Sequence, residues 1–222
     1  MNSLNNTLKI LLSFFIAIFI ISFSIAFVIL FRPYYYLNVK ILDIEQKTGY
    51  TYEQITTAYD DVMDFLVFGE EFKTGDLKYT EDGKSHFEDC KKLFVFDFIC
   101  VGVSYIYILV IFILQKTKKI HLEFKRFSPG IYSLFGIGAF ILIFATWGII
   151  SFDSLFKAFH LLCFPGKDNW MFNASKDQIV RILPTDLWIN FCLLIIFIVL
   201  IFTSVIISLE IKMRKKKKTI TE

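Results

Sequence analysis

Four stretches of the chain stay apolar for the roughly 20 residues that an α-helix needs to cross a bilayer: residues 8–31, 93–114, 131–150 and 187–209. Between them the pattern changes. In "TYEQITTAYDDVMDFLVF", Thr51 stands three positions before Gln54 in capping-box spacing, and Ile55, Tyr59, Val62 and Leu66 share one helical face. This predicts an amphipathic helix lying at or over the membrane surface. The next run, "GEEFKTGDLKYTEDGK", sets Gly69, Gly75 and Gly83 among short mixed stretches, which predicts turns and a brief strand pair. In "SFDSLFKAFHLLCF", Phe152, Leu155, Phe156, Phe159 and Leu162 fall on one side and Asp153, Lys157 and His160 on the other. A short interfacial helix is expected there, showing His160 to a wet surface, with Pro165 and Gly166 ending it and placing Asp168, Asn169 and Trp170 in a loop.

Composition sharpens this to a polytopic membrane protein: mean hydropathy is +0.58, and the 222 residues include 27 Phe. The first apolar run is longer than a signal core and passes into "FRPYYY" rather than small residues, so it is expected to stay as a helix. Charge then sets the topology. "KTKKIHLEFKRF" carries five basic residues and one acid, and the tail from Lys212 carries six and one, so the loop 115–130 and the tail 210–222 are expected in the cytoplasm. Both termini then lie inside, and residues 32–92 and 151–186 outside. The first of these has thirteen acids against eight basics and lacks an inward-holding positive excess. The lysine-rich tail reads as a topology anchor beside anionic lipid, with no nucleic-acid role. The fold expected is therefore an α-helical membrane protein, residues 1–222 forming a single membrane domain of four spans with a small extracytoplasmic α+β cap.

Topology also sorts the candidate chemistry. His121 belongs to the basic inner loop, whereas His86 and His160 share the outer side. If a helix runs unbroken from Ser85 into the second span, Asp89 lies one turn from His86, and Asp97 returns to nearly the same face. Two imidazoles near neutral pH can take and give protons, and a neighbouring carboxylate fixes a tautomer. Asp97 inside a span is expected to face the bundle interior or water. A metal set of His86, Asp89, His160 and Asp168, serving a membrane hydrolase, competes, without any recognised zinc spacing. A non-catalytic four-span scaffold is the third reading. There is no GxSxG elbow, Walker loop or GxGxxG, and no CxxC among the four cysteines. Cys90 and Cys163 both fall on the outer side, where a disulfide is chemically permitted. Trp170 and Trp188 suit an interfacial aromatic belt.

Two motifs carry a resemblance. "HFEDCKKLF" matches H-L-x-D-V-K-x-L-F at His86, Asp89, Lys91, Leu93 and Phe94, with Phe87 and Cys90 replacing aliphatic residues. "FHLLCFPGKDNWMFNASKDQIVRILP" matches F-H-x-x-x-F-P-G-x-D-x-W-x-F and the following D-x-L/I and L-P pairs at Phe159, His160, Phe164, Pro165, Gly166, Asp168, Trp170, Phe172, Asp177, Ile179, Leu183 and Pro184. On these the chain resembles the bacterial lipoprotein intramolecular transacylase family of four-span membrane proteins. The resemblance implies a cell-membrane acyltransferase moving the sn-2 acyl chain of a diacylglyceryl lipoprotein to the α-amino group of its N-terminal cysteine, giving the lyso form. It implies His86 and His160 as catalytic residues on the extracytoplasmic side. Asp89 and Asp168 are expected to orient the rings and Trp170 to support the site, with a backbone N–H or Lys91 as the alternatives for an oxyanion donor. Lipoprotein and membrane lipid are the expected partners, with neither metal nor cofactor; an ester becoming an amide needs no energy source.

Overall fold

The computed structural model describes residues 2–122 and 126–221. Residues 123–125 of the expected inner loop and Glu222 of the tail lie outside the described residues. In chain order the helices are α1 (Asn2–Leu30), α2 (Arg32–Ile41), α3 (Ile44–Thr48), α4 (Tyr52–Phe68), α5 (Glu81–Lys116), α6 (Pro129–Ile150), α7 (Phe152–Cys163), a 3-10 helix (Gln178–Ile182) and α8 (Thr185–Thr221). Four of them, α1, α5, α6 and α8, are long and apolar enough to cross a membrane. They contain the four apolar stretches, except that α1 ends at Leu30 and Phe31 makes the junction with α2.

The chain divides into two compact units. One comprises residues 1–26, 98–146 and 195–222. Its interior is thin: Ile20, Ile137 and Val199 form one buried cluster, and Leu12, Ile111 and Leu122 another. Helices approach through small residues, as expected where lipid tails are as apolar as leucine. A Cβ on Gly130 would meet the Ile206 side chain at 3.0 Å, and Ser24 and Ser104 are fully buried with their hydroxyls donating to the carbonyls of Ile20 and Cys100. Glu210 is buried and accepts from the Arg214 side chain and from the Ser128 amide, which ties α8 to the start of α6.

The other unit, residues 27–97 and 147–194, holds the larger core. The capping box is present: the Gln54 amide donates to Thr51 Oγ1, and the Thr51 amide to Gln54 Oε1. Ile55, Tyr59, Val62 and Leu66 are all buried, but against protein. Tyr59 stacks on Tyr35 with ring centroids 3.6 Å apart, and the Tyr35 hydroxyl donates to the Ile182 carbonyl. The expected surface-lying helix is thus corrected to a packed one, because its apolar stripe meets Tyr35, Ile44, Ile179 and Leu187. Its far side is tied by charge: Arg32 bridges Asp60 and Asp64, and the Tyr36 hydroxyl donates to Asp60.

The expected strand pair is also corrected. Among the described residues there is no strand, and residues 69–80 hold one isolated bridge between Thr74 and Asp76. Their polar groups are taken locally instead: the Gly75 amide donates to Asp61 Oδ2, and the Leu77 amide and Thr74 hydroxyl close a turn between residues 74 and 77. The cap expected as α+β is helical.

Candidate functional site

Helix α5 begins on a clamp. Asp177 Oδ1 accepts from both the amide (2.7 Å) and the hydroxyl (2.8 Å) of Thr80, and the Thr80 hydroxyl accepts in turn from the Gly83 amide. A Cβ at Gly83 would collide with the Asp177 carboxylate, so glycine is required for this approach. The tail of the second motif thereby fixes the first turn of the helix that carries the first. His86 follows one turn later, 5% exposed, its ring set edge-on to Phe164 (centroids 5.0 Å) and Phe172 (5.3 Å).

His160 reaches the same place from α7. The Ser151 hydroxyl caps that helix by accepting from the Ser154 amide. The expectation that His160 faces water is overturned: it is 7% exposed, while Leu162 on the apolar face is 81% exposed. Of the polar side of α7 only His160 is buried; Asp153 and Lys157 stay exposed, so the burial belongs to the end of the helix nearest the aromatic loop. The ring is packed by Phe156 (4.1 Å) and Trp170 (4.8 Å). Its Nδ1 lies 2.7 Å from the Phe156 carbonyl. A carbonyl only accepts, so Nδ1 carries the proton and Nε2 the lone pair. Burial pushes the His160 imidazole below its ordinary range, partly offset by that hydrogen bond.

The two imidazoles stack at 27° with centroids 5.7 Å apart. Charging both at that separation and burial is unfavourable, so the pair holds at most one extra proton. Cys90 Sγ lies 3.4 Å from His86 Nε2. Cys90 and Cys163 are free thiols, so the permitted disulfide is not formed.

Around the rings, four expected neighbours are sorted anew. Asp89 is buried, but its carboxylate serves Lys167 (2.5 Å), Lys92 (3.0 Å) and the Asn169 amide (3.3 Å) rather than either ring. Asp168 is exposed and orients neither ring; among the described residues its side chain has no hydrogen-bond or ion-pair partner. Lys91 is no oxyanion donor here, because its ammonium lies over the Phe65 ring at 4.3 Å. Trp170 packs against the His160 ring, its indole N–H donating to the Lys167 carbonyl (3.1 Å). Lys167 and Asn169 were missed. They occupy the variable positions of "PGKDNW", and only the pairing of a buried acid with the nearest loop lysine would have signalled them. Asp97 is partly buried in α5.

The competing metal set does not converge, since Asp89 is spent on two lysines and Asp168 points away. Among the described residues no group of three or more His, Cys, Asp or Glu side chains is arranged to hold a metal ion.

A family model described as lipoprotein intramolecular transacylase Lit matches residues 10–188. The structure is similar to that of the membrane integral lipoprotein intramolecular transacylase Lit from Bacillus cereus, with a TM-score of 0.87 at 21% identity, covering 99% of this chain and 100% of that one. Two variants of that protein, with a histidine replaced by arginine or by alanine, match with TM-scores of 0.82, each at 21% identity; the match covers 98% of this chain in both, with 95% and 97% of theirs. At that identity the likeness speaks for the fold. No curated protein sequence matches the chain.

Proposed function

From the membership of this chain in the lipoprotein intramolecular transacylase family, we propose that it transfers the sn-2 acyl chain of a diacylglyceryl lipoprotein to the α-amino group of that lipoprotein's N-terminal cysteine, using His86 and His160. The observation that supports the chemistry best is the buried imidazole pair, 5.7 Å between centroids, walled by aromatic rings.

The amine nitrogen attacks the ester carbonyl, and the acyl carbon to glyceryl-oxygen bond breaks. One proton must leave nitrogen and one must reach the departing oxygen. An imidazole Nε2 lone pair takes the first, and the imidazolium so formed returns that proton to the glyceryl oxygen. The pair ends as it began, which fits a site that tolerates one added proton and no more. Because donor and acceptor belong to one molecule, holding ester and amine together supplies much of the acceleration. The exposed apolar face of α7, with Phe159 and Leu162, gives the acyl chains a route from the bilayer to His160. The reading places the site on the extracytoplasmic side of a bacterial cell membrane, consistent with the charge pattern of the inner loop and tail.

The decisive experiment is mass spectrometry of a lipoprotein's N-terminal peptide from membranes with and without this protein. The lyso form with an N-acylated cysteine is expected only when the protein is present. Unchanged diacylglyceryl peptide would return the chain to the scaffold reading. A pH profile follows from the depressed basicity of His160. An imidazole held low is already neutral at pH 7, so the acid limb of kcat/KM is expected at the substrate's α-amino group, about 7.7–8.0. An acid limb near the ordinary imidazole value of about 6.5 would contradict this. Folding follows the same sign: the unfolded chain binds the His160 proton more readily, so stability is intact above about pH 6.5 and falls as pH drops through it.

A further inference from the structure

We infer that Asn169 is the positioning residue that fixes the tautomer of His86, holding the proton on Nδ1 and presenting Nε2 as the lone pair; the inference rests on the proposed role of His86. The orientation of the Asn169 amide is settled by its neighbours. Asp89, paired with two lysines, is an ionised carboxylate and can only accept. The Asn169 atom facing it at 3.3 Å must therefore be the Nδ2 donor, which also reaches the Ser85 hydroxyl at 3.4 Å. With Nδ2 so committed, Oδ1 has one orientation left. It is buried and without a hydrogen-bond partner.

Ser85 and Asp89 bracket His86 on α5, so an amide bound to both lies against the imidazole between them. His86 Nδ1 is the site's other buried polar atom without a partner. Each meets the need of the other. An acceptor-only oxygen requires an N–H, and a ring nitrogen becomes a donor by carrying the proton. The reverse tautomer would set two lone pairs face to face in a buried space, leaving both unsatisfied. A separate contact agrees. Cys90 Sγ lies 3.4 Å from Nε2, and a thiol is a weak donor suited to a bare lone pair.

The consequence is symmetry between the two histidines. His160 is held in the same tautomer by the Phe156 carbonyl, so both rings offer Nε2 as base and neither offers an acid until one has taken the amine's proton. The titratable and charged groups facing His86 are Asp89 and Cys90 on its own helix, His160 on α7 and Lys167 on the loop.

The test is ¹⁵N NMR of histidine-labelled protein in detergent micelles at pH 8, with the His86 signals assigned through H86Q, alongside a lipopeptide transacylation assay. The wild type is expected to show His86 as the Nδ1–H tautomer. Asn169→Ala is expected to move it towards Nε2–H and to lower kcat by about tenfold to a hundredfold with less change in KM. A wild-type His86 with its proton on Nε2, or a tautomer untouched by Asn169→Ala, overturns the inference. If Asn169→Ala does not accumulate as folded protein, the wild-type tautomer alone decides. Wild-type protein with the expected tautomer but no transacylation refutes the functional reading and leaves the positioning inference standing.

Discussion

Replacing either His86 or His160 with alanine is expected to abolish conversion of diacylglyceryl lipoprotein to the lyso form, lowering kcat by about 10²- to 10⁴-fold, the range that positioned acid–base groups supply. The two losses should resemble each other, and the double variant should be little worse than either single one. Groups that pass one proton between them act as a unit, and removing one member costs nearly what removing both does. His86→Gln and His160→Gln, which keep most of the side-chain volume among the aromatic rings, separate lost chemistry from lost packing. His121 is the natural control, since it belongs to the other unit and its carbonyl accepts from the Asn5 side chain there. His121→Ala should convert lipoprotein at the wild-type rate. Full activity in both outer variants sinks the assignment.

The second large effect is expected at Asp89. Its carboxylate gathers three polar contacts from two chain segments: Lys92 from its own helix, and Lys167 and Asn169 from the loop after α7. That loop also carries Trp170, which packs on His160. Asp89→Ala therefore releases the loop that wraps both rings while leaving the rings themselves untouched. A displacement of about 1 Å at a reacting group can cost about 10²-fold, and a loss of that order in kcat is expected. The thermal unfolding temperature should fall less, because Lys92 and Lys167 are partly exposed and can turn to water. A Lys167→Ala variant should reproduce part of the loss, and adding it to Asp89→Ala should change little. Strictly additive effects would mean that the ion pair does not hold the loop.

Much of this was legible in the sequence, and what was not has identifiable causes. The spans were readable because lipid imposes a length, and the Thr51–Gln54 box because a cap has fixed spacing. The stripe of α4 gave the right residues and the wrong partner: a moment says which face is apolar, not whether lipid or protein covers it. For α7 the pattern grouped His160 with Asp153 and Lys157, which are exposed, whereas His160 lies one turn further on and is covered by the Phe156 and Trp170 rings, a contact that periodicity does not encode. Lys91 and Lys92 look equivalent in sequence, yet only the residue at i+3 from Asp89 shares its face; the other falls on α4. In "GKDNW" the outward residue proved to be Asp168, and its two neighbours point inward, a choice made by backbone turns after Gly166 that composition does not encode.

The Thr80–Asp177 clamp joins residues 97 positions apart through one carboxylate oxygen. Its consequence lies in cooperativity. Opening of the first turn of α5 breaks the contacts of the segment after the aromatic loop as well, so the two motifs are expected to gain and lose protection from hydrogen exchange together. His86 is then competent only in molecules whose later segment has already docked. During synthesis the second motif emerges after the first, so the surroundings of His86 are completed only once residues 159–184 have been made.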